Sequence, residues 1–164
     1  MPLDLVVVME KGRIRQAGAA RDVYAMPRDR YVAEFLGGQN VIACKVERVN
    51  GASVTLSAVD AESIVVPLAD TSRLRGGDRV DIAVRRDDIR VRRPGTVTGE
   101  DWNAVDARIR AVEYQGAYVK VLLDCLAEGE FVAYVPEREF FEDTLAPGEA
   151  VVASWLAERS LLLA

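Results

Sequence analysis

The sequence predicts a mainly β protein, one or two small barrels preceded by a short α/β segment. Three observations carry that class. From Val41 onward the chain is a succession of short runs in which apolar and polar residues alternate, the two-residue period of a half-buried strand. Glycine turns separate those runs, among them Arg75-Gly76-Gly77-Asp78, Gln115-Gly116-Ala117, Glu128-Gly129-Glu130 and Ala146-Pro147-Gly148-Glu149. The first forty residues have a different texture, a β-branched run followed by helical spacing. Many short strands joined by tight turns are best closed into barrels, which leave no long edge open.

In chain order, Leu3 to Met9 is apolar on both faces, which suits a strand covered on both sides. Glu10-Lys11-Gly12 supplies a turn, and Arg13 to Gly18 reads as the return strand. Val23, Tyr24, Tyr31, Val32, Phe35 and Leu36 then fall at helical spacing over 19–25 and 29–36, with Pro27 parting two short helices and Gly37-Gly38 ending the second. This opening is too small for a core of its own. Strands are predicted over 41–49, 52–58, 64–68, 79–85, 89–92, 104–114, 118–124, 131–135, 150–155 and 161–163, with a helical turn near 137–143. Asn50-Gly51 is the preferred pair for a type I′ hairpin turn. No long internal repeat is visible, although Arg75 to Val80 and Pro147 to Val151 use one device, a glycine turn delivering the chain into a strand.

Composition excludes several chemistries. The chain has 164 residues, half of them hydrophobic, a formal net charge of −5 and no histidine. Imidazole-dependent catalysis and histidine-ligated metal sites are therefore absent. Cys44 and Cys125 are far apart and form no CxxC pair, so both read as small buried hydrophobes. The longest apolar stretches, such as Leu5 to Met9 and Leu161 to Ala164, fall far short of the roughly 20 residues of a membrane-spanning helix. No stretch has the ordered regions of a signal peptide. Charge is uneven: 16 basic against 13 acidic residues up to Gly95, then 5 against 13. That polarity favours head-to-tail contact between copies or a basic partner, with a plain solvated face as the alternative.

Four local patterns invite function. Leu36-Gly37-Gly38-Gln39 lacks the serine and the following helix that a phosphate clamp needs, and no Gly-x4-Gly-Lys-Ser/Thr loop exists. Arg85 to Arg93 is the densest basic run, but its alternation puts Ile89 and Val91 inside and Arg90 and Arg92 outside. With Asp87 and Asp88 diluting it and no aromatic interleaved, nucleic acid is not an expected partner. Glu137, Glu139, Glu142 and Asp143 flank Phe140-Phe141 as a solvated corner with one phenylalanine tucked inward. Trp102 and Trp155 read as core or rim anchors, or as a partner contact beside Tyr114.

The wording Val8-Met9-Glu10-Lys11-Gly12-Arg13-Ile14-Arg15-Gln16-Ala17-Gly18, then Asp22-Val23-Tyr24, Pro27 and Tyr31-Val32-Ala33-Glu34-Phe35-Leu36-Gly37 with Asn40, resembles the end of the ATP-binding cassette in importer ATPase subunits of the polyamine, sugar and ferric-iron group. The remainder resembles that family's C-terminal TOBE domain, built of OB-like barrels, at Asp81 to Ile89, Val112 to Ala117 and Pro147 to Val151. Two departures stand out: Gly18-Ala19-Ala20 replaces Gly-Thr-Pro, removing proline from a helix start, and Arg85-Arg86-Asp87 replaces Arg-Pro-Glu.

The resemblance implies a cassette remnant over 1–40 and a TOBE/OB-like regulatory domain over 41–164. It implies no enzyme in this chain and no cofactor, with ATP and Mg bound upstream in the parent protein. Expected partners are a second copy, membrane permease subunits reached through the cassette, and a regulatory protein or small ligand, at the cytoplasmic face of a bacterial plasma membrane. Interface or regulatory contacts are assigned to Arg85, Arg86, Asp87, Asp88, Tyr114, Gln115, Gly116 and Trp155. An alternative is a stand-alone barrel binding an oxyanion such as molybdate through amides near Ser57 or Ser154, with single-stranded nucleic acid on Arg85 to Arg93 ranked below it.

Overall fold

In the computed structural model, which describes residues 4–58, 63–96, 99–126 and 129–163, the chain opens with a two-stranded antiparallel hairpin, β1 (Leu5–Glu10) and β2 (Arg13–Ala19), and two short helices, α1 (Ala20–Ala25) and α2 (Arg30–Leu36). Lys11 (φ 48°) and Gly12 (φ 76°) form its two-residue loop, both with positive φ as a type I′ turn requires. The expectation that β1 is covered on both faces is corrected. Val8 is buried with Val23 and Val32, while Leu5, Val7 and Met9 on the alternate face are exposed. α1 starts without a side-chain cap, as the missing proline and threonine foretell. α2 is capped by Asp29, whose carboxylate accepts the Val32 amide at 3.0 Å and the Arg15 guanidinium at 2.7 Å. Ala33 of α2 then packs with Ala83 and Leu163, docking the small unit on the main body.

The main body is two five-stranded antiparallel sheets. The first has the order β12-β6-β3-β4-β5 and the second β10-β9-β8-β11-β7, from β3 (Gln39–Val49), β4 (Ser53–Ser57), β5 (Ser63–Pro67), β6 (Arg79–Arg85), β7 (Arg90–Arg92), β8 (Trp102–Tyr114), β9 (Tyr118–Asp124), β10 (Phe131–Pro136), β11 (Ala150–Leu156) and β12 (Leu161–Leu162). Helix α3 (Glu137–Glu142) joins β10 to β11. The fold is mainly β, as predicted, and nearly every strand lies within two residues of its sequence-based range. Leu3, Glu128 and Ala164, placed by the sequence in the opening strand, a turn and an apolar tail, lie outside the described residues.

The absence of a repeat is overturned by the topology. Strands β3-β4-β5-β6-β7 and β8-β9-β10-β11-β12 are one motif used twice. Asn40 faces Val84 as Asn103 faces Trp155, and Leu56 faces Val46 as Leu123 faces Ile109. Both long strands carry a bulge at the same place, at Glu47 in β3 and Arg110 in β8. Both glycine turns grip the long strand just before it. The Gly77 amide donates to Val46 O and the Gly148 amide to Ile109 O, each at 2.8 Å, while the Asp78 and Glu149 carboxylates accept the amides of Arg75 and Ala146. In each unit a 3-10 turn, Arg86–Asp88 or Ala157–Arg159, carries the last strand into the other unit's sheet, so that β7 pairs with β11 and β12 with β6.

Among the described residues neither ladder closes, so in place of the expected closed barrels stand two curled half-barrel sheets. The free edges at β10 and β5 are instead blocked by side chains. Asn40, 1% exposed, donates from Nδ2 to Val132 O and accepts the Val132 amide, both at 2.8 Å. Asn103 does the same to Val65 at 2.9 Å in both directions. Each unit's first strand thus staples the edge strand of the other. One core runs through both units, from Ile42, Leu56 and Ile82 to Ile109, Leu123 and Trp155.

A second correction concerns Asn50-Gly51. The hairpin forms, but among the described residues Asn50 lacks the positive φ of a type I′ turn, and the Ala52 amide bonds back to Asn50 O around Gly51 (φ 76°), a γ-turn. Asn40→Ala strands a buried N–H and C=O together, so chemical denaturation is expected to read a loss of about 2–3 kcal/mol, with Asn103→Ala close behind. A loss under about 0.5 kcal/mol would show the staples to be incidental.

Candidate functional site

The 3-10 turn Arg86–Asp88 lies where the two units meet. Arg85, at the end of β6, holds Asp87 through two hydrogen bonds of 3.2 and 3.1 Å and lies 5.4 Å from the centre of the Tyr24 ring. Arg86 crosses to the second unit, where its Nη1 donates to the Tyr134 hydroxyl at 3.1 Å. Tyr134 in turn packs on Tyr118, centroid to centroid 4.5 Å. Asp87 and Asp88 line a cleft of about 300 Å³ with Arg90, Trp102, Tyr134, Glu139 and Arg159, floored by Ile89, Val91 and Leu156. Arg90 lies 4.5 Å above the Trp102 ring. The aromatic partners that the basic run lacks in sequence thus arrive from β8 and β10, and arginines already cover their faces.

Tyr114, Gln115 and Gly116 form the tip of the β8–β9 hairpin. Gly116 (φ 94°) makes the turn, and the Gln115 amide bonds Tyr118 O at 3.1 Å. Tyr114 is 62% exposed and stacks on Phe141 at 5.8 Å. Phe140 is the phenylalanine that turns inward, while Phe141 stays exposed. The structure therefore brings Arg85 to Asp88 together at one junction and gathers Tyr114 to Gly116 at another, with Tyr118 and Tyr134 between them. Trp155 joins neither group. It is fully buried, its Nε1 donating to Ser160 Oγ at 2.9 Å, and it has no surface to offer a partner. Trp102 is the rim tryptophan.

The arginine run and the acidic corner are separate in sequence, and the fold pairs them. Arg92 meets Glu139 at 2.8 Å, and Arg93 bonds Asp143, Thr144 O and Glu149. Alternation announces that Arg90 and Arg92 face outward but says nothing of what they meet. Ser57 bonds Glu47 at 2.6 Å, and Ser154 is buried in β11 between Arg90 of β7 and Ala104 of β8. Gln39 opens β3 and donates to Tyr24 O at 2.9 Å, so the Gly37-Gly38-Gln39 segment is a helix stop leading into a strand.

Among the described residues no group of three or more acidic or cysteine side chains is placed to hold a metal, and no helix is long and apolar enough to cross a membrane. Burial pushes the Cys44 thiol up to about 12, helped by nearby Asp81, which keeps it unreactive at neutral pH. Desolvation and then the Asp87 charge raise Asp88, against the pull of Arg159 and Arg85. The folded protein thus holds this proton more tightly than the unfolded chain. Its contribution is most favourable below the ordinary carboxylate pKa of about 4 and is lost as pH rises through the raised value. Asp88→Asn is expected to stabilise at pH 7, by less than about 1 kcal/mol after solvent screening, with the gain vanishing below about pH 4. Thermal melts across pH check this, and an equal effect at pH 3 and pH 7 would contradict it.

The family model of the TOBE domain matches residues 82–163, half of the chain. Over 98% of its length the chain is 29% identical to the spermidine/putrescine import ATP-binding protein PotA of Rubrobacter xylanophilus, of which it covers 41%. It is 31% identical to the PotA of Oleidesulfovibrio alaskensis, over 93% of this chain and 42% of that one. The chain spans about two fifths of the length of these curated relatives and corresponds to their C-terminal region. Among solved structures, the cytoplasmic molybdate-binding protein ModG superposes with a TM-score of 0.65 at 18% identity, covering 75% of this chain and 94% of that one, a likeness of fold. The duplicated half-barrel sheets and the family match agree: this chain belongs to the TOBE domain family.

Proposed function

We propose that the chain is the regulatory and dimerisation part of an importer ATPase subunit, joining two subunits so that their cassettes part after hydrolysis without dissociating. The observation that carries this reading is the extent of the match to importer ATPases, which runs through the α/β opening as well as both β units, over 98% of the chain. A TOBE domain of unrelated setting has no reason to keep the opening. The exposed apolar residues Leu5, Val7, Met9, Ile14 and Phe35 support an upstream neighbour on that unit.

In this reading ATP and Mg²⁺ bind upstream, the permease is met through the cassette, and the complex works at the cytoplasmic face of the membrane. The domain contributes proximity. Two cassettes held by a short tether re-encounter each other at millimolar effective concentration, so each reclosure becomes an intramolecular event. A regulator that prefers the separated state would act through the same joint. Light scattering coupled to size exclusion over a concentration series is expected to show a dimer that persists on dilution. A monomer at every concentration would overturn the tether.

A further inference from the structure

The two β units share one fold, yet the second carries two stretches that the first lacks. Val49 ends β3 opposite Val54, whereas β8 continues past the matching Val112 through the extra rungs Glu113–Lys120 and Tyr114–Val119. Helix α3 fills the connection from β10 to β11, where the connection from β5 to β6 has no helix. Far apart in sequence, the two additions meet. Tyr114 of the longer hairpin stacks on Phe141 of α3, with rings 12° from parallel. Both rings are more than half exposed. The first unit folds without either addition, so the pair is not a requirement of the barrel. An exposed aromatic pair assembled from two separate insertions is a contact surface.

Charge identifies what it contacts. Around the tip lie Glu113, Glu137, Glu142 and Asp143, all exposed; Lys120, Arg92 and Arg93 pair with Glu113, Glu139 and Asp143, so the tip's negative charge rests on Glu137 and Glu142 against the base Arg138. The equivalent end of the first unit is built alike, with the Leu68 amide bonding the hairpin tip at Ala52 O as Glu137 bonds Ala117. That end is basic: Arg48, Arg73, Arg75 and Arg79 are exposed, against the charged acids Asp70 and Asp78, each of which accepts a backbone amide. Equivalent ends of one pseudo-symmetric body thus carry opposite charge.

We infer that the Tyr114/Phe141 tip docks on the Arg73/Arg75 end of a second copy, the two copies lying antiparallel so that each tip meets the other's basic end. This surface rests on the dimer reading above and supplies its contact. A two-fold arrangement makes the contact twice and closes on itself, which avoids open filaments. Opposite charge orients the encounter, and the aromatic pair anchors it.

The test is a charge swap in the full chain, read by sedimentation equilibrium at low and high salt. Glu137→Lys with Glu142→Lys makes both ends of a copy basic; Arg73→Glu with Arg75→Glu makes both acidic. Each variant alone is expected to dimerise at least about tenfold more weakly than wild type, and an equimolar mixture to recover wild-type affinity within about threefold. In the mixed dimer both contacts again pair opposite charges. Tyr114→Ser with Phe141→Ser is expected to weaken the dimer at least about tenfold at either salt concentration. All these side chains are exposed, and unchanged thermal melts confirm folding. A wild-type dimer that none of the variants weakens, or a mixture that fails to recover, overturns this surface and leaves the dimer standing. A wild-type monomer throughout overturns both.

Discussion

The architecture depends on two asparagine side chains. A five-stranded sheet that curls without closing keeps two edges, and an edge buried against a neighbour with nothing to pair it costs several kcal/mol in unmet hydrogen bonds. A carboxamide is the side chain that matches a backbone edge group for group, one donor and one acceptor in a plane. Asn40 and Asn103 each present that pair to the other unit's edge strand, at Val132 and Val65. Aspartate lacks the donor and leucine lacks both. Once these staples are set, the register between the units is set, and the crossing strands β7 and β12 fall into place.

Symmetry is relaxed where it is not needed. Val84 and Trp155 occupy matching positions, and Ser160 in the second unit answers the indole N–H that the smaller valine does not bring. Its hydroxyl also lies 3.4 Å from Asn103 Nδ2, so the tryptophan, the serine and one staple form a single polar thread through an apolar core. Arg93 is the tie on the outside, binding the exit of α3 to the glycine turn before β11. These asymmetric features lie in the second unit, the one extended by a longer hairpin and a helix.

Much of the fold was legible because alternation and glycine turns are local signals. The bounds of β6 and β9 follow directly from them. The duplication was not legible, because it survives in hydropathy and geometry more than in identity. Ile64 stands for Phe131, Cys44 for Ala107 and Val84 for Trp155, and the two insertions break any fixed spacing. Asn50-Gly51 misled as to turn type, since the Asn50 amide bonds Ser53 O and leaves Gly51 and Ala52 as the loop, which asks no positive φ of the asparagine. Of the candidate site, sequence could mark Arg85 to Asp88 and Tyr114 to Gly116 as unusual, but the partners Tyr134, Trp102 and Glu139 are long-range and carry no local signature. Trp155 misled for a related reason, since amphipathic bulk suits a rim as well as a core until its hydrogen-bond partner is known.

The exchange of final strands has a consequence for how the protein is made. β12 follows the entire second unit in the chain, yet it completes the first sheet beside β6. During synthesis, the first-made unit therefore waits at the ribosome with an unfinished edge while the second is translated, and it has neither the strand that completes its sheet nor its staple partner Asn103. The nascent chain must stay soluble in a half-built condition, and the two units then finish in one concerted step of high contact order. Interlocking the two halves trades early folding for the impossibility of one half opening by itself.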